Sequence, residues 1–394
     1  MRSRLLRLAG TTSAVGIMIA VSVPALGLPG RAEAAAAAGK ARVPTVYAVN
    51  TGDGTVTPVD TVTNKAGRAI SLAISGSNDG AEYIAATPNG RTVYVGNTNP
   101  NVESLTPIST GSNRAGSGIS TVDIPGQIAI TPNSRSAYVV GVADDIVMPV
   151  NLRTNTAGPV IDVGGEPTAI AITPNGKTAY VLNLGYVTPV KTATNQPGPA
   201  IQLPSGGGGV YPQAVAVTPN GSTVYVANWN LGTVTPISTA TNTALPSIKV
   251  GNTPGYLAIT PNSKTVYVAS LGSDTVTPVS TATNKAGRAI KIGGSPTFIA
   301  ITPNGKTVYV SDNGSVVPVS TATNKAGRAI VVGGSITDIA ITPNGKTLYA
   351  LHTSSSGRGW LTPISTAKNK PGKAIKVGNE SSVAYMVITP GIPA

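Results

Sequence analysis

Few residues in this chain have the type and spacing that chemistry needs. The single histidine, His352, lies near Arg358 and Trp360. A loop imidazole is the usual general base, so His352 is the one weak catalytic candidate. With one His and no Cys, a His₂, His₃ or thiolate metal site is excluded. Asn78-Asp79-Gly80 and Asp144-Asp145 carry oxygens of the kind calcium takes, but neither has the spacing of a recognised cation loop. No metal and no cofactor are therefore expected. Nucleophile-elbow, P-loop and Rossmann patterns are also missing from the sequence.

The elements that would position any site are plainer. Ile301 to Ala340 reads as four short strands, TVYVS, SVVPVS, RAIVVG and TDIAIT, each bounded by Gly, Pro, Asn or Ser. The turn Thr-Pro-Asn recurs from Thr87 to Thr342, and Thr389-Pro390-Gly391 closes the series, with steps of 40 to 47 residues. A tyrosine marks the following strand eight times, from Tyr47 to Tyr349, and a proline marks the strand after it eight times, from Pro58 to Pro363. Eight cycles of four strands predict an all-β, eight-bladed propeller of four-stranded antiparallel blades.

Each repeated residue has a structural task. Asn-Gly pairs such as Asn89-Gly90 and Asn304-Gly305 suit a tight hairpin that needs positive φ. One tyrosine per blade fits packing between neighbouring sheets. Asn64, Asn113 and their six counterparts fit side-chain-capped turns. The prolines each remove a ladder donor, so a bulge or a short fourth strand is expected beside them.

The repeat IAITPNGKTVYVAN…TVTPISTATN resembles the YVTN-type β-propeller repeat of secreted and cell-surface bacterial and archaeal proteins, over roughly residues 45–390. Two features depart from that pattern: eight blades where seven are common, and Pro where the third strand has an aliphatic residue. The resemblance implies a strand order. The IAIT strand is innermost (A), followed by TVYV (B), TVTPI (C) and the AIxVG strand (D). The first blade is then composite, with B, C and D from the N-terminus and A from the C-terminus, which closes the ring and leaves no long open edge.

Length variation separates two faces. The A–B and C–D segments keep constant lengths, whereas the B–C and D–A segments vary, as in ISGSNDGAEY, PSGGGGVYPQ, GNTNPNVES and HTSSSGRGW. Successive antiparallel strands put the constant turns on one face and the variable loops on the other, so the variable face is the expected recognition site. Trp229, Trp360, Tyr211 and Tyr186 all fall on that face, with Arg358 beside Trp360. They are the ligand-binding candidates, with a glycan or protein as partner. Acids, Glu82, Asp274 and Asp312 among them, are assigned to the same side.

The constant face collects basic residues in its turns. Lys65, Arg68, Lys285, Arg288, Lys325, Arg328, Lys370 and Lys373 are the anionic-surface candidates, read as a ring around the disc. They would draw an anionic envelope polymer or lipid headgroups. These turns carry no aromatic to stack a base, so nucleic acid is not an expected partner.

Residues 1–34 read as a signal peptide, with Arg2, Arg4 and Arg7 ahead of an apolar run and a small-residue cleavage site at Ala32-Glu33-Ala34. The segment 35–44 reads as a flexible lead-in, and 45–394 as one propeller domain. Cleavage takes away four Arg and one Glu and lowers the net charge from +13 to +10. No transmembrane segment is expected after it. The expectation is a secreted, extracellular, cell-wall-associated scaffold that binds without catalysis. The alternatives are a lactonase-like hydrolase or lyase using His352, and a surface-layer structural protein.

Overall fold

Val, Ile, Thr and Tyr alternate along the B and C strands, and these pair antiparallel over their full length. Thr45–Asn50 pairs Thr55–Asp60, from Thr45 opposite Asp60 to Asn50 opposite Thr55, with Tyr47 opposite Pro58. The other seven blades repeat this hairpin and the Tyr–Pro pair. The computed structural model describes residues 43–72, 80–99, 102–121, 124–205, 209–378 and 383–391. The expected signal segment and nearly all of the lead-in lie outside them. Among the described residues no helix is long and apolar enough to cross a membrane.

Eight antiparallel sheets form the molecule, each running from an inner strand A outward to strand D. The inner strands touch one another in sequence around the ring, from Ala81–Ala86 of blade 2 to Ser335–Ile341 of blade 8. The ring is completed by Val383–Ile388, which pairs with Thr45–Asn50 (Val46 opposite Ile388, Ala48 opposite Met386). Blade 1 is therefore composite, as the strand order requires.

The prolines explain the outer strand. An antiparallel residue points its N–H and C=O to the same neighbour, and the carbonyl of Pro58 accepts from the N–H of Gly67 in strand D at 2.8 Å. The missing donor thus also faces D. There the strand breaks: Lys65–Ala66 pairs the end of C, residues 68 and 69 stand off after the Gly67 bond, and Ile70–Ser71 pairs its beginning. Seven blades place Gly opposite the proline, and blade 5 places Leu245 there. A Cβ on Gly67 would stand 3.2 Å from the Pro58 ring. The short fourth strand is the answer, cut in two.

Neighbouring blades are tied by one recurring bond. The Tyr47 hydroxyl donates to Asn113 Oδ1 of blade 2 at 2.7 Å, Tyr94 to Asn155 at 2.6 Å, and so on around the ring. Tyr349 of blade 8 closes the circle onto Asn64 of blade 1 at 2.6 Å. The asparagines hold φ between 50° and 57°, which few other residues with side chains tolerate. Each one therefore serves its own turn and the preceding blade. The tyrosine rings are buried, and burial pushes the Tyr225 and Tyr309 hydroxyls up to about 12.

Candidate functional site

Backbone bonds between loops fix which connections share a face. On one side, the C–D turn meets the A–B turn of its own blade: Thr110 N–H donates to Arg91 C=O at 3.0 Å, and Thr321 N–H to Lys306 C=O at 3.0 Å. On the other, D–A meets B–C: Trp229 N–H donates to Tyr211 C=O at 2.9 Å, and Val163 N–H to Asp145 C=O at 3.1 Å. The variable loops thus lie together, opposite the constant turns.

The aromatic candidates separate into three places. Trp229 opens a short 3-10 turn, Trp229–Leu231, in the B–C loop of blade 5, and Tyr211 lies in the D–A loop beside it. Asn230 locks the pair: its Oδ1 accepts from Tyr211 N–H at 2.9 Å and its Nδ2 donates to Gly209 C=O at 2.6 Å. The half-buried indole of Trp229 lies over Gly255, where a Cβ would stand 3.5 Å from the ring, while Tyr211 is 55% exposed. Tyr186 begins strand C of blade 4, with its hydroxyl against Gly164. Trp360 belongs to blade 8, two whole blades removed from blade 5. These bonds join Trp229, Tyr211 and Asn230 in one pair of neighbouring loops; Trp360 and Arg358 lie elsewhere.

Blade 8 corrects the placement of His352 and Trp360 in a loop. The longer segment there extends the hairpin, giving seven-residue strands Thr347–Thr353 and Gly359–Ser365, with His352 opposite Trp360. His352 is buried, and its Nε2 lies 2.9 Å from Thr362 Oγ1. It occupies the strand-end position that Asn50, Asn183 and Asn228 hold in blades 1, 4 and 5, where each amide donates to the threonine equivalent to Thr362 (Thr57, Thr188 and Thr235) at 2.8 to 3.0 Å. Burial lowers the imidazole's pKa, and Nδ1 faces Gly334, where a Cβ would stand 3.1 Å away. His352 stands in for the repeat's asparagine. Arg358 is exposed at the hairpin tip.

A second cluster was not picked out from the sequence. Four residues before the turn threonine, the inner strands carry Tyr83, Gln127, Tyr256, Phe298, Asp338 and Tyr385, with Ala in the other two blades. Tyr83 stacks on Tyr385 with centroids 5.9 Å apart, and Tyr256 tilts against Phe298 at 5.1 Å. Asp338 is buried; Oδ1 accepts from Ile339 N–H at 2.8 Å and Oδ2 from Met386 N–H of blade 1 at 3.0 Å. Burial pushes this carboxyl up to about 7, outweighing both donors. Gln127 does the same job in blade 3, accepting from Ile170 N–H at 2.6 Å. The signal was a position varying within an otherwise repeated strand. Glu82 belongs here too, in inner strand Ala81–Ala86 rather than in a loop, and burial raises its pKa. Asp312 ends strand B of blade 7 and is buried, its Oδ2 accepting from Gly294 N–H at 3.0 Å.

All eight basic candidates are exposed, but they do not share one flat face. Lys65, Lys285, Lys325 and Lys370 start strand D near the constant turns, whereas Arg68, Arg288 and Arg328 stand in the strand-D gap on the outer rim. Lys373 takes the same gap in blade 8. The calcium-type candidates do not assemble: Asn78 and Asp79 lie outside the described residues, and Asp145 Oδ1 accepts from Glu166 N–H at 2.7 Å. No group of three or more potential metal ligands occurs among the described residues.

No protein-family model matches the chain, and no curated protein matches it. Solved structures do share its fold. Hydrazine synthase of Kuenenia stuttgartiensis aligns with a TM-score of 0.59 at 21% identity, covering 75% of this chain and 99% of that one. The dihydro-heme d1 dehydrogenase NirN aligns at 0.73 with 11% identity, over 87% of this chain and 74% of that one. A functionally unknown protein of Desulfotomaculum acetoxidans aligns at 0.56 with 15% identity, over 88% and 99%. Likeness at these identities establishes a β-propeller and no activity.

Proposed function

We propose that the chain is a secreted binding scaffold of the YVTN-repeat type, acting at the cell envelope without catalysis. Its variable face takes a cell-wall glycan or a protein partner, and its basic side favours anionic envelope polymers. The observation that carries this reading is the Trp229–Tyr211–Asn230 site. Two residues with amphipathic rings have their backbones tied together on adjoining loops of one blade, and one of them is more than half exposed. The spent histidine supports a non-catalytic role: Nε2 is engaged by Thr362 and the ring is buried.

The test is a titration with soluble cell-wall oligosaccharides, following tryptophan emission in Trp360→Phe, so that Trp229 alone reports. A saturable change that Tyr211→Ala weakens about tenfold, the loss of one aromatic hot spot, is expected. Oligosaccharides retained by the protein with no change at Trp229 would sink this site. Turnover of a lactone lost in His352→Ala would favour the enzyme reading instead.

A further inference from the structure

The basic residues are not spread evenly around the disc. In register, the strand-D edge of blade 6 carries Lys285, Arg288 and Lys291, blade 7 Lys325 and Arg328, blade 8 Lys370, Lys373 and Lys376, and blade 1 Lys65 and Arg68. The same positions in blades 2 to 5 hold only Arg114 and Lys249, against Asp162. The charged edges are consecutive and adjoin: Lys291's strand piece touches that of Lys325, and Lys376's touches that of Lys65. Across the C and D strands of these four blades the sole acid is Asp60, whose Oδ1 is taken by the Val62 and Thr63 N–H groups.

Edge protection does not account for this arc. An exposed edge needs something that blocks pairing with another chain, and either Lys or Pro suffices. Blades 3, 4 and 5 use Pro159, Pro199 and Pro246 where blades 6, 7, 8 and 1 have Arg or Lys. Blade 8 reaches the same charges through different residues, KPGK in place of KAGR.

We propose that the outer edges of blades 6, 7, 8 and 1 form one continuous belt for a flexible, linear phosphodiester polymer that wraps the rim. This rests on the anionic-polymer half of the function proposed above. Four consecutive blades of eight span half the circumference. A flat bilayer meets a convex rim along a narrow line and reaches the edges of one or two blades, whereas a flexible chain follows the curve. Arg in the strand gap offers the planar fork that matches phosphate oxygens, flanked by Lys as point charges.

The experiment compares lipid-free poly(glycerol phosphate) with phosphatidylglycerol vesicles, which present the same headgroup as a flat surface, and with polygalacturonate. Arg68, Arg288, Arg328 and Lys373, changed together to Gln, are set against a control that changes Arg91, Arg135, Lys177 and Lys264 on the A–B turns. Both sets remove the same charge, and thermal melting checks that each folds. The rim set is expected to weaken polymer binding at least tenfold and to lower the slope of log K against log salt by about 3, from about 0.7 per released counterion. The control set should cost threefold or less.

Equal losses in both sets would reduce the effect to net charge and overturn the belt, leaving the anionic-polymer reading standing. Vesicles or polygalacturonate bound as tightly as the polymer, with the same loss in the rim set, would overturn the wrapped phosphodiester chain. Wild-type protein that holds neither polymer nor vesicle would sink the anionic-polymer reading as well.

Discussion

Two rings encircle the same axis by different rules. In the Tyr–Asn ring every blade uses the same two residues at nearly the same distance, 2.6 to 2.9 Å. In the inner ring the equivalent position is aromatic in four blades, Ala in two, Gln in one and Asp in one. Uniformity in the first shows that every seam between blades is the same joint, including the one between blade 8 and the composite blade 1. Variation in the second shows that the inner strands settle their packing blade by blade. Where Asp338 and Gln127 occur they solve one problem, an inner-edge N–H of the next blade.

The composite blade, where the two ends of the chain meet, is the severest test of the ring. Deleting residues 383–394 removes strand A of blade 1, with the buried Val383, Tyr385 and Met386 and the ladder to Val46 and Ala48. At roughly 1.5–3 kcal/mol per buried side chain, the loss rivals the 5–15 kcal/mol that holds a typical domain together. Thermal melting should show a non-cooperative or much lower transition. A melt like that of the intact protein would mean the ring does not need its last strand.

Asp338 comes next. Folding holds its proton to about pH 7, while the unfolded chain releases it near the ordinary value of 3.8. Between those values only the unfolded state gains by ionising, so the fold should weaken as pH rises through that window and level off above it, by on the order of a few kcal/mol. Asp338→Asn removes this dependence and keeps one acceptor for the two N–H groups. It should be weaker than wild type by about 1 kcal/mol at pH 4 and match or exceed it at pH 8. Parallel denaturation curves for the two proteins from pH 4 to 8 would break the assignment.

The uniform ring predicts a smaller and equal cost wherever it is cut. Tyr225→Phe within the array and Tyr349→Phe at the closing seam should each cost about 1 kcal/mol in urea unfolding, the net value of one such bond. A seam variant several times worse than the internal one would show that blade 8 leans on Asn64 in a way blade 5 does not lean on Asn284.

What could be read in the sequence follows the same division. Blade number was legible because each signal is stated eight times, while strand order and the composite first blade followed from the resemblance to the YVTN-type repeat. The bond from Tyr47 to Asn113 was not, since it joins residues 66 apart in neighbouring blades and both already had sufficient local roles. Asp338 was missed because a single carboxylate at a position otherwise aromatic, amide or Ala has no repeat to announce it. Glu82 reads as a loop residue in the sequence because the varying D–A segment hides where strand A begins. The rim charges look like a ring in the sequence because it shows turns, while only the register with the prolines shows which residues stand in the strand gap.

His352 is the mildest probe of the comparison and the most specific. If it is an asparagine substitute, His352→Asn restores the residue that blades 1, 4 and 5 use against the threonine equivalent to Thr362. Stability at pH 8 should then change by no more than about 0.5–1 kcal/mol, because one bond to Thr362 replaces another. Burial depresses the imidazole's pKa in the folded chain, so the wild type should lose stability as pH falls through the unfolded value near 6.5. The Asn variant should lack that loss, and the difference between the two melts at pH 5 isolates it from the opposite trend of Asp338, which both proteins share. A His352→Asn protein destabilised by several kcal/mol at pH 8 would show that blade 8 was built around the ring of His352 and is not one more copy of the repeat.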